Sequence, residues 1–469
     1  MLFSAAPVFA ERDQNQTPPP PPPPTQGQGG QGGQGQGGQG GQGESGQGEG
    51  LGLWIGRRQS SRPYRGLFGG GYSNTEQLLS LGLNAGGGYD SSVFVDDRGD
   101  PTAPVVFSRT HSGFAAGSAN LDYSLNRSSF AFSASGGGGL SYYPVLFDPL
   151  NHSYFANAHS GWKLSEKATI SGDYSLYYWP AQHLVSLPGI GGPSLGPGNP
   201  FDTTLGAQAE AYRNETARGD LTYRLSRRVS ASVNYGMWRV VSPSHLYDSH
   251  TRQVAGRVSM GVTRDLAVYA GYGFSTQDFA DELELAPYHA HNIDAGLAFT
   301  KALSLTRRTY LSFGTGTSAV SDGNNTHYNL TGNVRLLREL GRTWEASFYY
   351  TRDVQFVQTF LQPVLSDTVS GNVGGLLNRR VRFDGDLYLT YGKVGFSGPS
   401  NGYRTFYATA GLGIGISRNL SGGVRYLFTR YYFDNGVVVP VDLLHATDRH
   451  GVHAYLSAWF PLFSRSRRP

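Results

Sequence analysis

The sequence predicts an all-β fold, a transmembrane antiparallel up-and-down β-barrel of about 18 strands (between about 16 and 20), preceded by a disordered N-terminal segment rich in Pro, Gly and Gln. Three observations predict it. Long stretches alternate apolar and polar side chains, short polar turns return about every 40 residues, and the connections on the other side are longer and rich in Gly, Pro and Asp.

Composition sets the class. The chain has 66 Gly, 13% aromatic and only 15% charged residues, a strand-favouring balance. A net charge of +4 spread over 469 residues, with no basic block interleaved with aromatics, argues against nucleic-acid binding. The absence of cysteine excludes disulfides, thiolate metal sites, a catalytic thiol and a lipidated N-terminal Cys. No apolar run approaches the ~18 residues that a membrane helix needs, so any crossing is made by strands.

Taken in order, residues 1–10 (MLFSAAPVFA) are apolar and end in a small-x-small pattern at Val8 and Ala10, as the remnant of a secretory signal peptide does. Residues 11–50 are low complexity, with prolines from Pro18 to Pro24 followed by Gly and Gln repeats. They cannot bury a core, and they predict a tether. Residues 51–73, with Arg57, Arg58, Arg62 and Arg65, form a transition segment expected to be periplasmic or lumenal.

From residue 74 to residue 463 the chain predicts barrel strands. The hairpin LTYRLSRRVSASVNYGMW shows the pattern. Val229, Val233 and Tyr235 share one face, while Ser230, Ser232 and Asn234 share the other, with Arg227 and Arg228 in the turn. Comparable turns read LNRS, LSEK, VTRD, LTRR, LNRR and ISRN, with LRELGR a longer variant. An opening strand over about residues 75–90, a pair of strands at each turn and a closing strand over about residues 449–460 bring the total to about 18.

The strands exceed the roughly five or six residues usual in soluble sheets. One face of each is polar or tiny: Thr169, Ser171, Asp173 and Ser175; Glu345, Ser347 and Thr351; Arg382, Asp384 and Asp386. Closing those groups inside a sandwich would carry a large desolvation penalty, whereas a wet lumen keeps them hydrated. Ile170, Leu176, Phe348, Tyr350, Phe383, Leu387 and Leu389 then face lipid, and the aromatic clusters YYW, FYY and RYYF at strand ends suit headgroup girdles.

On these features, residues 74–463 resemble the porin-like outer-membrane β-barrels of Gram-negative bacteria. The resemblance rests on architecture and implies an outer-membrane location with the N-terminus periplasmic. It also implies partnership with outer-membrane lipids and with the barrel-assembly machinery, which reads a terminal aromatic in the last strand. Here GVHAYLSAWF ends on Phe460 in phase with Val452, while Phe463 in the following PLFSRSRRP lies out of phase.

The expected function is a passive channel for small hydrophilic solutes. Asp173, Arg224, Glu345, Arg382, Asp384, Asp386 and Arg425 are candidate pore-lining residues, and residues 187–200 a candidate constriction. The alternative is a non-conducting scaffold or accessory component of an envelope export or surface-attachment system, holding its complex through the N-terminal tether. Arg227, Arg228, Arg307, Arg308, Arg379, Arg380 and Arg418 form a candidate periplasmic rim.

His289 and His291 share a strand face, whereas His450 and His453 do not. No third ligand accompanies the first pair, so they are expected as solvated lumen or loop histidines. No catalytic spacing, nucleophile elbow or phosphate loop is present, and neither a metal nor a cofactor is expected. The Gly86–Gly88 and Gly136–Gly139 runs are expected at bends, bulges or places where a loop approaches closely.

Overall fold

The segment VSASVNYGMWRVV places β-branched and aromatic side chains at alternate positions without a proline, and it forms a single strand, β7 (Val229–Val241). The same logic applies along the whole chain. The computed structural model describes residues 75–96, 107–146, 149–179, 211–243, 248–263, 266–279, 287–299, 309–321, 325–341, 343–356, 362–396, 401–437 and 446–466.

The first half of the wall comprises β1 (Thr75–Asp96), β2 (Phe107–Asn126), β3 (Phe130–Tyr142), β4 (Leu150–Lys163), β5 (Ala168–Trp179), β6 (Tyr212–Arg224), β7, β8 (Ser249–Gly261) and β9 (Leu266–Phe279). The second half comprises β10 (Tyr288–Phe299), β11 (Thr309–Ser321), β12 (Thr326–Leu340), β13 (Trp344–Phe356), β14 (Pro363–Leu376), β15 (Val381–Val394), β16 (Gly402–Gly415), β17 (Leu420–Phe433) and β18 (Ala446–Ser466). Each strand pairs antiparallel with the next, and β1 pairs with both β2 and β18. The result is a closed 18-stranded barrel. Among the described residues there is no helix.

The short turns owe their shape to the residue after the last apolar position. Ser226 Oγ accepts from the Arg228 and Val229 amides at 3.2 and 3.1 Å, and Ser165 Oγ from those of Lys167 and Ala168 at the same distances. Asn378 Oδ1 does so for Arg380 and Val381 at 2.8 and 2.9 Å. LSEK, LSRR and LNRR are thus self-capped turns in which the Ser or Asn supplies the backbone with acceptors.

Two strands are longer than the sequence suggests. β1 continues through a register shift between Asp90 and Val93 to Asp96, and β18 begins at Ala446 and runs to Ser466. The extension corrects the reading of Phe463. Ser80 pairs with Pro461 but Leu79 with Phe463, so Leu462 is the extra residue of a β-bulge. The bulge reverses the phase, and Phe463 rejoins the face of Leu79. Phase counted along one strand cannot reveal this, because the shift is defined against the partner strand.

Candidate functional site

Alternation divides every strand between two faces, and side-chain contacts identify the concave one. Arg257 on β8 donates from Nη2 to Asp294 Oδ2 on β10 at 2.6 Å, reaching across β9. Arg425 on β17 reaches Asp384 on β15 at 2.8 Å, across β16. Only the inside of a closed sheet brings side chains two strands apart into such contact. The opposite face carries the exposed large apolar residues, among them Leu83, Leu121, Ile170, Val233, Tyr235, Ile293, Leu387 and Val424.

Both bridges pass over a glycine. Arg257 and Asp294 are register partners of Gly271 on the intervening strand, and Asp384 and Arg425 are register partners of Gly411. A Cβ on Gly411 would lie 2.9 Å from Asp384 Oδ2, so a side chain there would block the bridge. Gly88 is a third saddle, under the edge-to-face contact of His453 with Phe114 at 5.0 Å. Gly88 therefore leaves room for the Phe114 and His453 rings, either of which a Cβ there would crowd.

Further polar and charged pairs lie along the concave wall. His159 Nδ1 and Asp173 Oδ1 are 2.6 Å apart, and Arg218, the cross-strand partner of Asp173, is held by Asp220 at 3.0 Å. Asp386 accepts from Asn372 at 2.5 Å and from Thr409 at 3.0 Å. At the β1/β18 seam, Arg449 makes several contacts with Asp90, and both are buried.

Exposure divides this wall into two flanks. The His159 and Asp173 side chains are 48% and 50% exposed, whereas Asp90 and Arg449 are 0% and 6%. The seam flank is covered in part by the turn after β3. Tyr143 stacks on Phe114 at 5.2 Å, and with Leu146 it buries against Phe114, Val93 and Tyr455. The turn is fixed by the Tyr143 amide, which donates to the Pro149 carbonyl at 2.8 Å. Burial pushes the Tyr143 phenol well above its ordinary pKa. Residues 187–200, the constriction expected from the sequence, lie outside the described residues.

The candidate lining residues Asp173, Arg224, Glu345, Arg382, Asp384, Asp386 and Arg425 all stand in the concave phase. Arg224, Glu345 and Arg382 are exposed near the short-turn edge, and Glu345 faces Glu339 across the ladder. Asp384, Asp386 and Arg425 instead belong to the sheltered network. Of the candidate rim, Arg227, Arg228, Arg379, Arg380 and Arg418 occupy exposed turns, and Arg307 and Arg308 lie outside the described residues.

Other placements differ from expectation. His289 and His291 are neither in the lumen nor in a loop. They share the convex phase of Ile293 and Leu297, with Tyr272 Oη 2.7 Å from His291 Nδ1 and Phe274 against both rings. The aromatic clusters also split by parity. Phe348, Tyr350, Tyr178 and Tyr432 face outwards, whereas Tyr177, Tyr349, Tyr431 and Phe433 face inwards, and Tyr403 packs on Phe433 at 6.2 Å.

Closure, an even strand number, short turns at one edge and an apolar convex face together define the architecture. The chain is a closed, 18-stranded antiparallel β-barrel with an apolar outer face. Among solved structures, Pseudomonas aeruginosa OpdL matches at a TM-score of 0.40 and 11% identity, covering 83% of this chain and 99% of its own. P. aeruginosa OccK5 (OpdH) matches at 0.43 and 12%, with coverages of 83% and 99%. The P. aeruginosa siderophore receptor PirA matches at 0.38 and 8%, with coverages of 82% and 80%. At these identities the likeness is one of barrel form alone. No family model matches the chain, and no curated protein does.

The sequence reading missed His159, Arg218, Arg257, Asp294 and the Asp90–Arg449 clasp. Parity holds a signal for two of them, since Ile293 and Val258 fix the phase of their strands and so put Asp294 and Arg257 inside. Their pairing needed the register of a third strand.

Proposed function

We propose that this barrel is a passive channel for small hydrophilic solutes in the outer membrane of a Gram-negative bacterium, with its short turns and N-terminus on the periplasmic side. The observation that carries the reading is the exposed, mid-wall pair of His159 and Asp173, beside Arg218, in a concave wall of Ser, Thr, Asn and paired charges. Among the described residues nothing covers this polar flank, which gives water and small polar solutes a continuous surface. Its charges are arranged to shape the local field without leaving a large excess of either sign.

Asp173, Arg224, Glu345 and Arg382 are then the lining groups in contact with solute, and Asp384, Asp386 and Arg425 hold the opposite wall. The exposed turn arginines make a basic periplasmic rim. Phe460 and Phe463, both on the outer face, are the aromatic features that the barrel-assembly machinery would meet. In planar bilayers the purified full chain should give stepwise currents, and Asp173→Asn should shift ion selectivity towards anions. Absence of current from heat-modifiable, inserted protein would refute conduction. The covered flank at Tyr143 and Leu146 favours a second reading, in which the lumen is closed and the barrel is a scaffold for an envelope complex. Such a barrel would pass no current and would co-purify with its complex.

A further inference from the structure

On the convex faces of the described strands, ionised side chains lie only within about five residues of the strand ends, as the headgroup depth of a bilayer requires. Most gather at the long-loop edge. There Arg352 is paired with Asp367 at 3.0 Å, Arg430 with Asp448 at 3.3 Å, and Arg404 lies 5.5 Å from the centre of the Tyr391 ring.

The sector from β6 to β9 differs. Glu215, Arg239, His250 and Asp278 are successive register partners across four strands. Glu215 is engaged by Arg213 of its own strand at 3.0 Å. Arg252, two residues beyond His250, donates to its ring, with Nη2 3.2 Å from Nδ1. That contact holds the imidazole as an acceptor and adds no negative charge. Among the described residues, neither Arg239 nor Arg252 has a carboxylate within ion-pair distance. Below them Tyr235, Val254, Val258 and Tyr272 present an exposed apolar sheet.

We propose that Arg239 and Arg252, flanking His250, form a binding site for the phosphate monoester of a lipid headgroup in the leaflet at the long-loop edge. The chemistry fits at three points. Two guanidinium forks offer paired N–H donors to a tetrahedral group with several acceptor oxygens. Two cations at the boundary of an apolar phase gain more from an anion than they would in water. The apolar sheet beneath receives the acyl chains of the same molecule, which a free phosphate does not have. The site rests on the lipid-facing placement of the convex wall and is independent of conduction.

The test titrates the purified full chain in detergent micelles with an acylated glucosamine disaccharide bearing two phosphates, its dephosphorylated counterpart, and inorganic phosphate. Binding is read by native mass spectrometry and by the temperature at which the folded band is lost on a detergent gel. The phosphorylated lipid should bind and raise that temperature. Arg239→Gln with Arg252→Gln should weaken its binding at least tenfold, and Arg239→Lys with Arg252→Lys should weaken it less. Arg227→Gln with Arg228→Gln, at the other edge, should leave it unchanged.

Equal binding of the phosphorylated and dephosphorylated lipids, or unchanged binding in the glutamine pair, overturns the proposal. Protection by inorganic phosphate equal to that by the lipid overturns the lipid assignment. Heat-modifiability of each variant reports the barrel itself, so a failed site is distinguished from a failed membrane placement.

Discussion

Replacing Val233 by arginine should destabilise the inserted barrel strongly. Val233 is 51% exposed on the convex face, four residues beyond the first residue of β7. At a rise of about 3.4 Å per residue and a tilt of about 40°, that places it about 10 Å from the short-turn edge of an apolar band about 25 Å tall. It therefore sits close to the midplane, where a lipid-facing arginine costs about 2–4 kcal/mol. The neighbouring residue faces the opposite way. Ser232 is the register partner of Arg257 on the concave wall, so Ser232→Glu puts a carboxylate into a polar lumen beside a guanidinium, at a far smaller cost. Reversible folding into lipid vesicles, followed against denaturant, measures both. Destabilisation by Ser232→Glu equal to that by Val233→Arg would refute the assignment of faces.

Two further outcomes follow from the concave wall. Gly411→Ala should destabilise by about 1–3 kcal/mol, because its Cβ displaces Asp384 from Arg425; in an Asp384→Ala background most of that loss should vanish, and an unchanged penalty in vesicle folding would remove the saddle explanation. The Tyr143 phenol has its pKa raised in the folded state, so its contribution to docking of the β3–β4 turn is full below about pH 10 and falls as pH rises beyond that. Bilayer conductance of the wild type should therefore increase above about pH 10 while that of Tyr143→Phe stays flat, and a parallel rise in both would exclude Tyr143 as the cause.

What the sequence reveals is whatever period two and turn chemistry encode locally. Val229 against Ser230 and Leu387 against Asp386 assign faces without any knowledge of neighbours, and the turn sequences count the hairpins. The expectation of lumen or loop histidines overlooked the same signal, since His289 and His291 stand in phase with Ile293 and Leu297 on the lipid side. What stays hidden depends on strands that are distant in sequence. The Leu462 bulge exists only relative to β1, and the Arg425–Asp384 bridge requires Gly411 to lie between its partners. Tyr431 and Phe433 are buried because other side chains converge on them, although their local pattern resembles that of the outward-facing Tyr432.

Asn84 joins both neighbours of the first strand. Its amide nitrogen donates to Ser118 Oγ, 34 residues away along the chain, and its oxygen accepts from Ser457 Oγ, 373 residues away. For a flexible chain, the second closure carries about 2 kcal/mol more ordering entropy than the first. Hairpins can therefore form early and independently, while the meeting of β1 with β18 is the slow, long-range event. Until it occurs, the chain is an open sheet with two unpaired edges, which makes it prone to pairing with another copy. The Asp90–Arg449 clasp and the aromatic stack beside it exist only after closure. They act chiefly by slowing reopening, so substitutions there should shorten the lifetime of the closed barrel more than they slow its assembly.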